Sequence, residues 1–590
     1  MKVIVVLLTF IIANTIAFFI NQNIYDEQLS LLTYLFSNIG SLLLLSTVFH
    51  GKVYRRKEEH GSAVFMPSNK FQKLKNKKEP QKSIILAENV TLSLDHRKVQ
   101  RNLNVLVAGV PGTGKTQFVV NPNLCQLSSS FVVTDPKGEI LAGAGTMLKS
   151  AGYKIKVLNL VEMNESDFYN PFKYLRKDRE EDVLTLIDTI VKNTDGPDKK
   201  GGDPFWENAE KLFLQALFFY VIYEEEEHRQ TIGTIVEYLS LANYDGENEN
   251  ELDIMFAELE EKDPLNIAVI NYKMFKTSAK ETLRSIVITA NARFGPFAIK
   301  EINNLFSYDT MELHKLDDQK TALFLIISPM KTNLNFIGAM FYTQVFSQLD
   351  YIANWVNKSK GLPLTLKIPM LFILDEFANI GKIPDFERIL AYARSLNIGI
   401  MPIIQNLNQL KEMYKDSWET IVGSCDSFIF LGGNDNFTLE YLSKKIGKQT
   451  IDNVNRSRSK GKQGSSSTSE AILGRDLMTP DEIALMPFEE MLLFVKGYRT
   501  HKGKKYNVTK HKNYKKLGRG GNKIYIHKIP KKPEIVYVLE ININELLEED
   551  LNEKIDEKTE KFEPSGGRNN EEVYKNGEIE YELYNEDDFY

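Results

Sequence analysis

The sequence predicts an α/β protein built on a parallel sheet, with an inserted all-α domain and two transmembrane helices ahead of it. Three observations lead there. Short apolar runs alternate with helical stretches from Asn102 onward, the pattern of strands linked by helical crossovers. One of those runs leads directly into a glycine-rich segment, GVPGTGKT, at Gly109–Thr116. Two longer apolar runs, Val3–Ile20 and Ser30–Phe49, open the chain.

At the rise of an α-helix each opening run is about 27–30 Å long, enough to cross a hydrocarbon core. The connection Asn21–Gln28 holds Asp26 and Glu27 and no Lys or Arg, whereas Lys52, Arg55, Arg56 and Lys57 follow the second run. Cationic flanks stay on the cytoplasmic side. Residues 1–57 are therefore expected to anchor a multi-pass protein of the cytoplasmic membrane, with both termini and the body in the cytoplasm. A cleaved signal peptide is the competing reading of the first run. The length of that run, the lack of a small-x-small cleavage site and the second run stand against it. Cys125 and Cys425 are too few for a disulfide framework or a zinc site, which fits a reducing compartment. With 43% apolar and 26% charged residues, the composition excludes a disordered chain.

In the body, Leu103–Ala108 reads as a strand and Lys115–Leu127 as the helix after the glycine loop. Further buried strands are expected at Phe131–Thr134, Lys154–Leu158, Ala322–Ile327, Met370–Leu374, Ile398–Ile404, Ser427–Leu431 and Met491–Val495. Residues 176–314 lack convincing strands and carry helical periodicity, as in Ala209–Tyr223 and Lys280–Arg293. They form the insertion, flanked by residues 58–175 and 315–498 as two parts of one domain. The polar, Ser/Gly-rich Arg456–Glu470 is expected to be a mobile loop. A basic extension (499–540) and an acidic tail (541–590) close the chain. Arg499–Lys532 carries 13 Lys/Arg and no acid. It is either solvated surface or a nucleic-acid contact, with Tyr506, Tyr514 and Tyr525 available to stack. The last 50 residues hold 17 acids and 5 bases. They are a disordered, solubilising extension or a docking arm for basic partners.

The chemistry rests first on Gly109, Val110, Pro111, Gly112, Thr113, Gly114, Lys115 and Thr116, which fit G-x-x-x-x-G-K-[ST] throughout. The glycines let successive N–H groups turn inward onto phosphates, and the following helix adds its positive end. Lys115 would reach the β/γ-phosphates of ATP and the Thr116 hydroxyl would ligate Mg²⁺. The apolar strand Met370–Leu374 then delivers Asp375 and Glu376 at its C-terminal end, where α/β sheets bind ligands. Asp375 would hold Mg²⁺ through its water shell, and Glu376 would orient or deprotonate the attacking water. Gln405, ending the next strand, is a sensor of the γ-phosphate or the water, or a plain strand-end amide. Arg394 is a candidate to act in trans on a neighbour's nucleotide, or an ordinary helix arginine.

With these elements stand further segments: His60-Gly61-Ser62-Ala63, Asp135-Pro136-Lys137-Gly138-Glu139, Asn170-Pro171-Phe172, DEFANIGKIPDFE at Asp375–Glu387 and RDLMTPDEI at Arg475–Ile483. In this order, over roughly Gly61 to Lys496, the chain resembles the type IV secretion system coupling proteins, the TraG/TraD-like conjugation ATPases. The resemblance implies a hexameric, RecA-like motor at the inner face of the cytoplasmic membrane. It would link a relaxase-bound DNA strand to the proteins of a secretion channel, with Arg394 as the finger of a neighbouring subunit. It implies that the insertion is the family's all-α domain and leaves the basic extension and acidic tail unexplained. Two other functions compete: a cell-division-type chromosome translocase, and an ATP-switched membrane receptor that recruits substrate without pumping.

Overall fold

The computed structural model describes residues 2–22, 25–49, 58–194, 204–242, 249–458 and 466–530. Its centre is a nine-stranded sheet. In chain order its strands are β3 (Val105–Ala108), β4 (Ser130–Thr134), β5 (Lys154–Asn159), β6 (Thr321–Ile326), β7 (Met370–Leu374), β8 (Ile398–Ile404), β9 (Ser427–Phe430), β12 (Glu490–Val495) and β13 (His501–Lys504). Outside it, β1 (Ser83–Ala87) and β2 (Val90–Ser93) form a hairpin, and β10 (Lys448–Arg458) pairs antiparallel with β11 (Ser466–Asp476).

The spatial order is β13-β12-β9-β3-β8-β7-β4-β6-β5. From β9 to β5 all pairs are parallel, and β12 and β13 add an antiparallel edge. Such strands bury both faces, and their residues divide between two cores by alternation. Leu106, Val132, Phe372 and Leu374 point into one core, shared with the helices of the insertion. Val105, Val107, Phe131, Val133, Leu371 and Ile373 point into the other. That second face carries the helix after the glycine loop and the helix Glu139–Ser150.

Between β5 and β6 the described regular elements are helical, the longest being Glu181–Thr194, Pro204–Tyr223 and Lys280–Phe294. Arg293, on the last of these, is buried and grips Glu210 with Nε–Oε1 at 2.6 Å and Nη2–Oε2 at 3.1 Å. Its Nη1 donates to the Val191 carbonyl and Thr194, which ties three helices together. The helix after the glycine loop is less regular than expected. Asn121 N–H bonds back to the Thr116 carbonyl, five residues away, and Pro122 supplies no donor there.

One expectation needs correction. Arg456–Glu470 is not simply a loop, since its two ends are strand residues of the β10–β11 ribbon; residues 459–465 lie outside the described residues. Thr450 on this ribbon donates to the Gly61 carbonyl, and Ala63 N–H bonds to Lys448 O at 2.9 Å, so the HGSA segment is a strip laid on β10. Polar, alternating side chains suit an exposed two-stranded ribbon as well as a loop, and composition cannot separate them. The opening runs do form helices, Lys2–Asn21 and Glu27–Phe49. Among the described residues, however, no helix is long and apolar enough to cross a membrane; the side chains of residues 1–7 and 44–57 lie outside that description. The acidic tail also lies outside it.

Removing one partner of a buried ion pair leaves the other charge unpaired. Glu210→Ala is expected to destabilise the helical insertion by about 3–5 kcal/mol. Urea unfolding followed by hydrogen exchange across 204–294 should detect this, and Glu210→Met with Arg293→Met should recover most of the loss.

Candidate nucleotide site

The site forms where β3, β8, β7 and β4, neighbours in the sheet, end on the same side. Leaving β3, Gly109 N–H bonds to Ile404 O at 3.0 Å and Val110 N–H to Gly432 O at 3.2 Å, so strand pairing continues into the loop. The loop then turns through Gly112 and Gly114, at φ +85° and +84°. Side chains are strained in that region. A Cβ on Gly114 would also stand 2.5 Å from the Phe118 ring.

Lys115 is 8% exposed. Its Nζ donates to Gly109 O at 3.0 Å and to Glu376 Oε1 at 3.0 Å. Glu376, at φ +50°, turns the chain sharply after β7. Its second oxygen, Oε2, accepts from Gln405 Nε2 at 3.0 Å, and Gln405 N–H is held by Gln409 Oε1. The loop lysine, the strand-end acid and the next strand's amide thus form one network. Asp375 lies beside it, 7% exposed. Burial pushes its carboxyl up to about 6, Glu376 adds to the rise and Lys115 offsets part of it.

A cleft of about 330 Å³ opens over the loop, lined by Val110, Pro111, Gly112 and Gly114 through Gln117, by Asp375 and Glu376, and by Asp135, Pro136, Lys137, Glu139 and Ile140. The DPKGE segment at the end of β4 is therefore part of the site, although sequence reasoning gave it no chemical role. Asp135 is 1% exposed and accepts Leu141 N–H at 2.8 Å. Burial raises it to about 6 against the backbone donors that stabilise its anion. The available signal was an acid at a strand end, the same pattern that marked Asp375. Thr116 and Asp375 both border the cleft. Two hard oxygen donors beside a phosphate cradle suit Mg²⁺, which takes only one or two protein ligands and completes its shell from phosphates and water. Among the described residues no cluster of three or more His, Cys, Asp or Glu could hold a metal by itself.

Arg394 is not brought to this cleft. It caps the helix Phe386–Ala393 at its C-terminus, exposed, and lies close enough to His96 to lower that imidazole after burial has done so. The basic segment around and after β13 packs back on the body through part of its length, while most of its cations, among them Lys504, Lys512, Lys515, Lys516 and Lys523, stay exposed. Lys505 is buried between the Phe118 and Phe488 rings, and its Nζ donates to Thr113 O at 3.1 Å on the glycine loop. Burial lowers its amine to about 8. His511 contacts Gln126 Oε1 at 3.2 Å, and Asn513 donates to Cys125 O. Arg519, farther on, borders the cleft itself.

The family described as "Type IV secretory system Conjugative DNA transfer" matches residues 66–522. "Conjugal transfer protein TraG" of Rhizobium radiobacter is 26% identical over 402 residues, covering 67% of this chain and 60% of that protein. "Protein VirD4" of the same organism is 23% identical over 416 residues, covering 70% and 58%. The match thus spans about 60% of the length of such relatives. Among solved structures, the bacterial conjugative coupling protein TrwBdeltaN70 superposes with a TM-score of 0.54 at 16% identity, over 76% of this chain and 95% of that one. The plasmid coupling protein TrwB in complex with ADP and Mg²⁺ gives 0.54 at 15% identity, over 76% and 97%. These likenesses show the fold, an α/β architecture with a central mixed sheet.

Two expectations follow. Glu376→Gln removes the charge that holds Lys115, and a fluorescent ATP analogue should bind at least as tightly as before; weaker binding would mean that ATP does not have to displace this pair. The second concerns His511, which burial, then Lys512, lowers to about 4. Between about 4 and 6.5 the unfolded imidazole takes a proton that the docked one refuses, so docking loses stability as pH falls through that window. Hydrogen exchange of 508–522 should quicken there, and His511→Gln should flatten the dependence.

Proposed function

The chain belongs to the type IV secretory system conjugative DNA transfer family, and from that premise we propose that it is a membrane-anchored ATPase that couples relaxase-bound DNA to a type IV secretion channel. The observation that carries the reading is the Lys115–Glu376–Gln405 network at the mouth of a glycine-loop cleft. An ATP-binding loop alone would serve a switch. A carboxylate held on one oxygen by the loop lysine and on the other by an amide is what hydrolysis adds.

ATP entering the cleft offers its β/γ-phosphates to Lys115, which exchanges Glu376 for them. Glu376 then keeps its bond from Gln405, and its freed oxygen is available to orient or deprotonate water. Mg²⁺ held by Thr116 and Asp375 would neutralise phosphate charge and favour the ionised form of Asp375. Arg394, exposed and away from its own subunit's cleft, is where a finger acting on a neighbour would have to lie. That fits a homo-hexamer with one nucleotide at each interface.

The membrane reading is supported by how the first two helices are dressed. Ser37 Oγ donates to Ala13 O at 2.8 Å, and Asn14 Nδ2 to Asn38 Oδ1 at 3.4 Å, between the two helices. Ser41 is 2% exposed, while Phe19 is 64% and Phe36 67% exposed. Polar groups inside and large apolar groups outside invert the pattern of a water-soluble pair and match helices packed in lipid. With Lys52, Arg55, Arg56 and Lys57 following, the body would face the cytoplasm.

The test is ATP hydrolysis by the full-length protein in lipid nanodiscs, with and without single-stranded DNA. Turnover is expected, stimulated by DNA, and Lys115→Ala should lower it at least about 100-fold. Background turnover with ATP still bound would sink the motor and leave a receptor that recruits without pumping.

A further inference from the structure

We propose that Arg519 is a nucleotide-binding residue of the same subunit, delivered to the phosphate cleft by the segment that follows the sheet. The inference rests on the reading of that cleft as an ATP site. Arg519 borders the cleft beside Lys115, Thr116, Asp375 and Glu376. Its guanidinium makes no ion pair with any described carboxylate, so its five donors are available to an incoming anion.

The placement is built, not incidental. The segment begins at Lys505, bonded to the loop carbonyl of Thr113, and ends at His527, whose Nε2 meets the buried Asp167 at 2.9 Å. In between it crosses the helix Glu139–Ser150 over its sequence Ala142-Gly143-Ala144-Gly145. A Cβ on Gly145 would stand 2.4 Å from the Tyr525 ring, and one on Gly518 would touch Gly143. Tyr525 N–H bonds to Ala142 O at 3.0 Å. The helix is therefore smoothed to receive this segment. The turn that carries Arg519 is fixed as well. Leu517 is buried, Asn522 N–H returns to Leu517 O at 3.1 Å, and Tyr514 OH donates to the Arg519 carbonyl at 3.1 Å. Gly520 leaves no room for a side chain, since a Cβ there would be 2.0 Å from Tyr514 O.

Charge makes the same case. Four acids border the cleft, Asp135, Glu139, Asp375 and Glu376, against Lys115, Lys137 and Arg519. Without Arg519 two lysines would face four acids and a polyphosphate. Arginine also offers what lysine does not, a planar fork that meets two phosphate oxygens at once. The ligand is the polyphosphate of a nucleoside triphosphate or diphosphate, and the cation acts in cis, where Arg394 would act only on a neighbour.

The test uses the full-length protein with Mg²⁺ and fluorescent ATP and ADP analogues, comparing Arg519→Ala, Arg519→Lys and Lys115→Ala. Arg519→Ala should raise the Kd for ATP about tenfold, with Arg519→Lys in between. Millimolar guanidinium should restore part of the affinity in Arg519→Ala and none in Lys115→Ala, a rescue that a merely structural role would not give. Unchanged hydrogen exchange over 508–527 would confirm that the segment stays docked. If Arg519→Ala binds within twofold of the parent while Lys115→Ala loses binding, the role of Arg519 is overturned and the ATP site stands. If Lys115→Ala also binds like the parent, the ATP-site reading fails and the inference with it.

Discussion

The pairing of Lys115 with Glu376, at 3.0 Å, is the interaction on which the site depends. It joins the loop after β3 to the turn after β7, two strands separated in the sheet by β8, and β8 contributes Gln405 to the same carboxylate. Three strand ends are thus bound to one acid. The arrangement also explains the charge state around it. Burial drives both Asp375 and Asp135 up to about 6, with Glu376 and Asp135 adding to the rise at Asp375 and Glu139 to that at Asp135. One buried ammonium cannot satisfy three carboxylates. The cleft lining holds more acids than bases, and a ligand that arrives with a divalent cation and draws Lys115 onto phosphate changes that balance.

The parts of this protein legible in its sequence are those whose signal is local. GVPGTGKT needs its glycines because the turn itself demands them. The buried strands are continuous apolar runs because helices cover both faces of the sheet; Met370–Leu374 and Ile398–Ile404 coincide with their strands residue for residue. The helical stretch between β5 and β6 announces itself by period. Asp375, Glu376 and Gln405 could be named because strand ends are where ligands sit in such a sheet. That Gln405 spends its amide on Glu376 could not be read, since the contact spans a parallel crossover and depends on side-chain direction.

The illegible parts are those whose conformation is set by partners far along the chain. Lys505 looks like any lysine in a basic run, and only the rings of Phe118 and Phe488 make it a buried one. Of the 13 Lys/Arg between Arg499 and Lys532, Lys505 goes to the glycine loop and Lys510 to Glu88, and His527 meets Asp167, while Lys504, Lys512, Lys515 and Lys516 stay exposed. Ala142-Gly143-Ala144-Gly145 reads as a weak helix, and it becomes intelligible once Tyr525 lies across it. In both cases a local rule is broken to serve a long-range contact.

The segment after Glu376 shows how little slack surrounds the site. Phe377 and Ile380 are fully buried, and Gly381 turns at φ +76°. A Cβ on Gly381 would stand 2.8 Å from both Asn193 Oδ1 and Asn335 O. Next to it, Lys382 N–H bonds to Asn193 Oδ1 at 2.6 Å and Asn193 Nδ2 returns to Lys382 O at 2.9 Å. Asn193 lies at the end of Glu181–Thr194, a helix of the insertion. Between the acid that must release Lys115 and the helical layer there are thus six residues, and at Gly381 they leave no room for a methyl group. Close-packed contacts of this kind have few intermediate positions. Because Glu376 keeps its bond from Gln405 when Lys115 turns to phosphate, the turn after β7 and its grip on Asn193 hold the acid in place for the water.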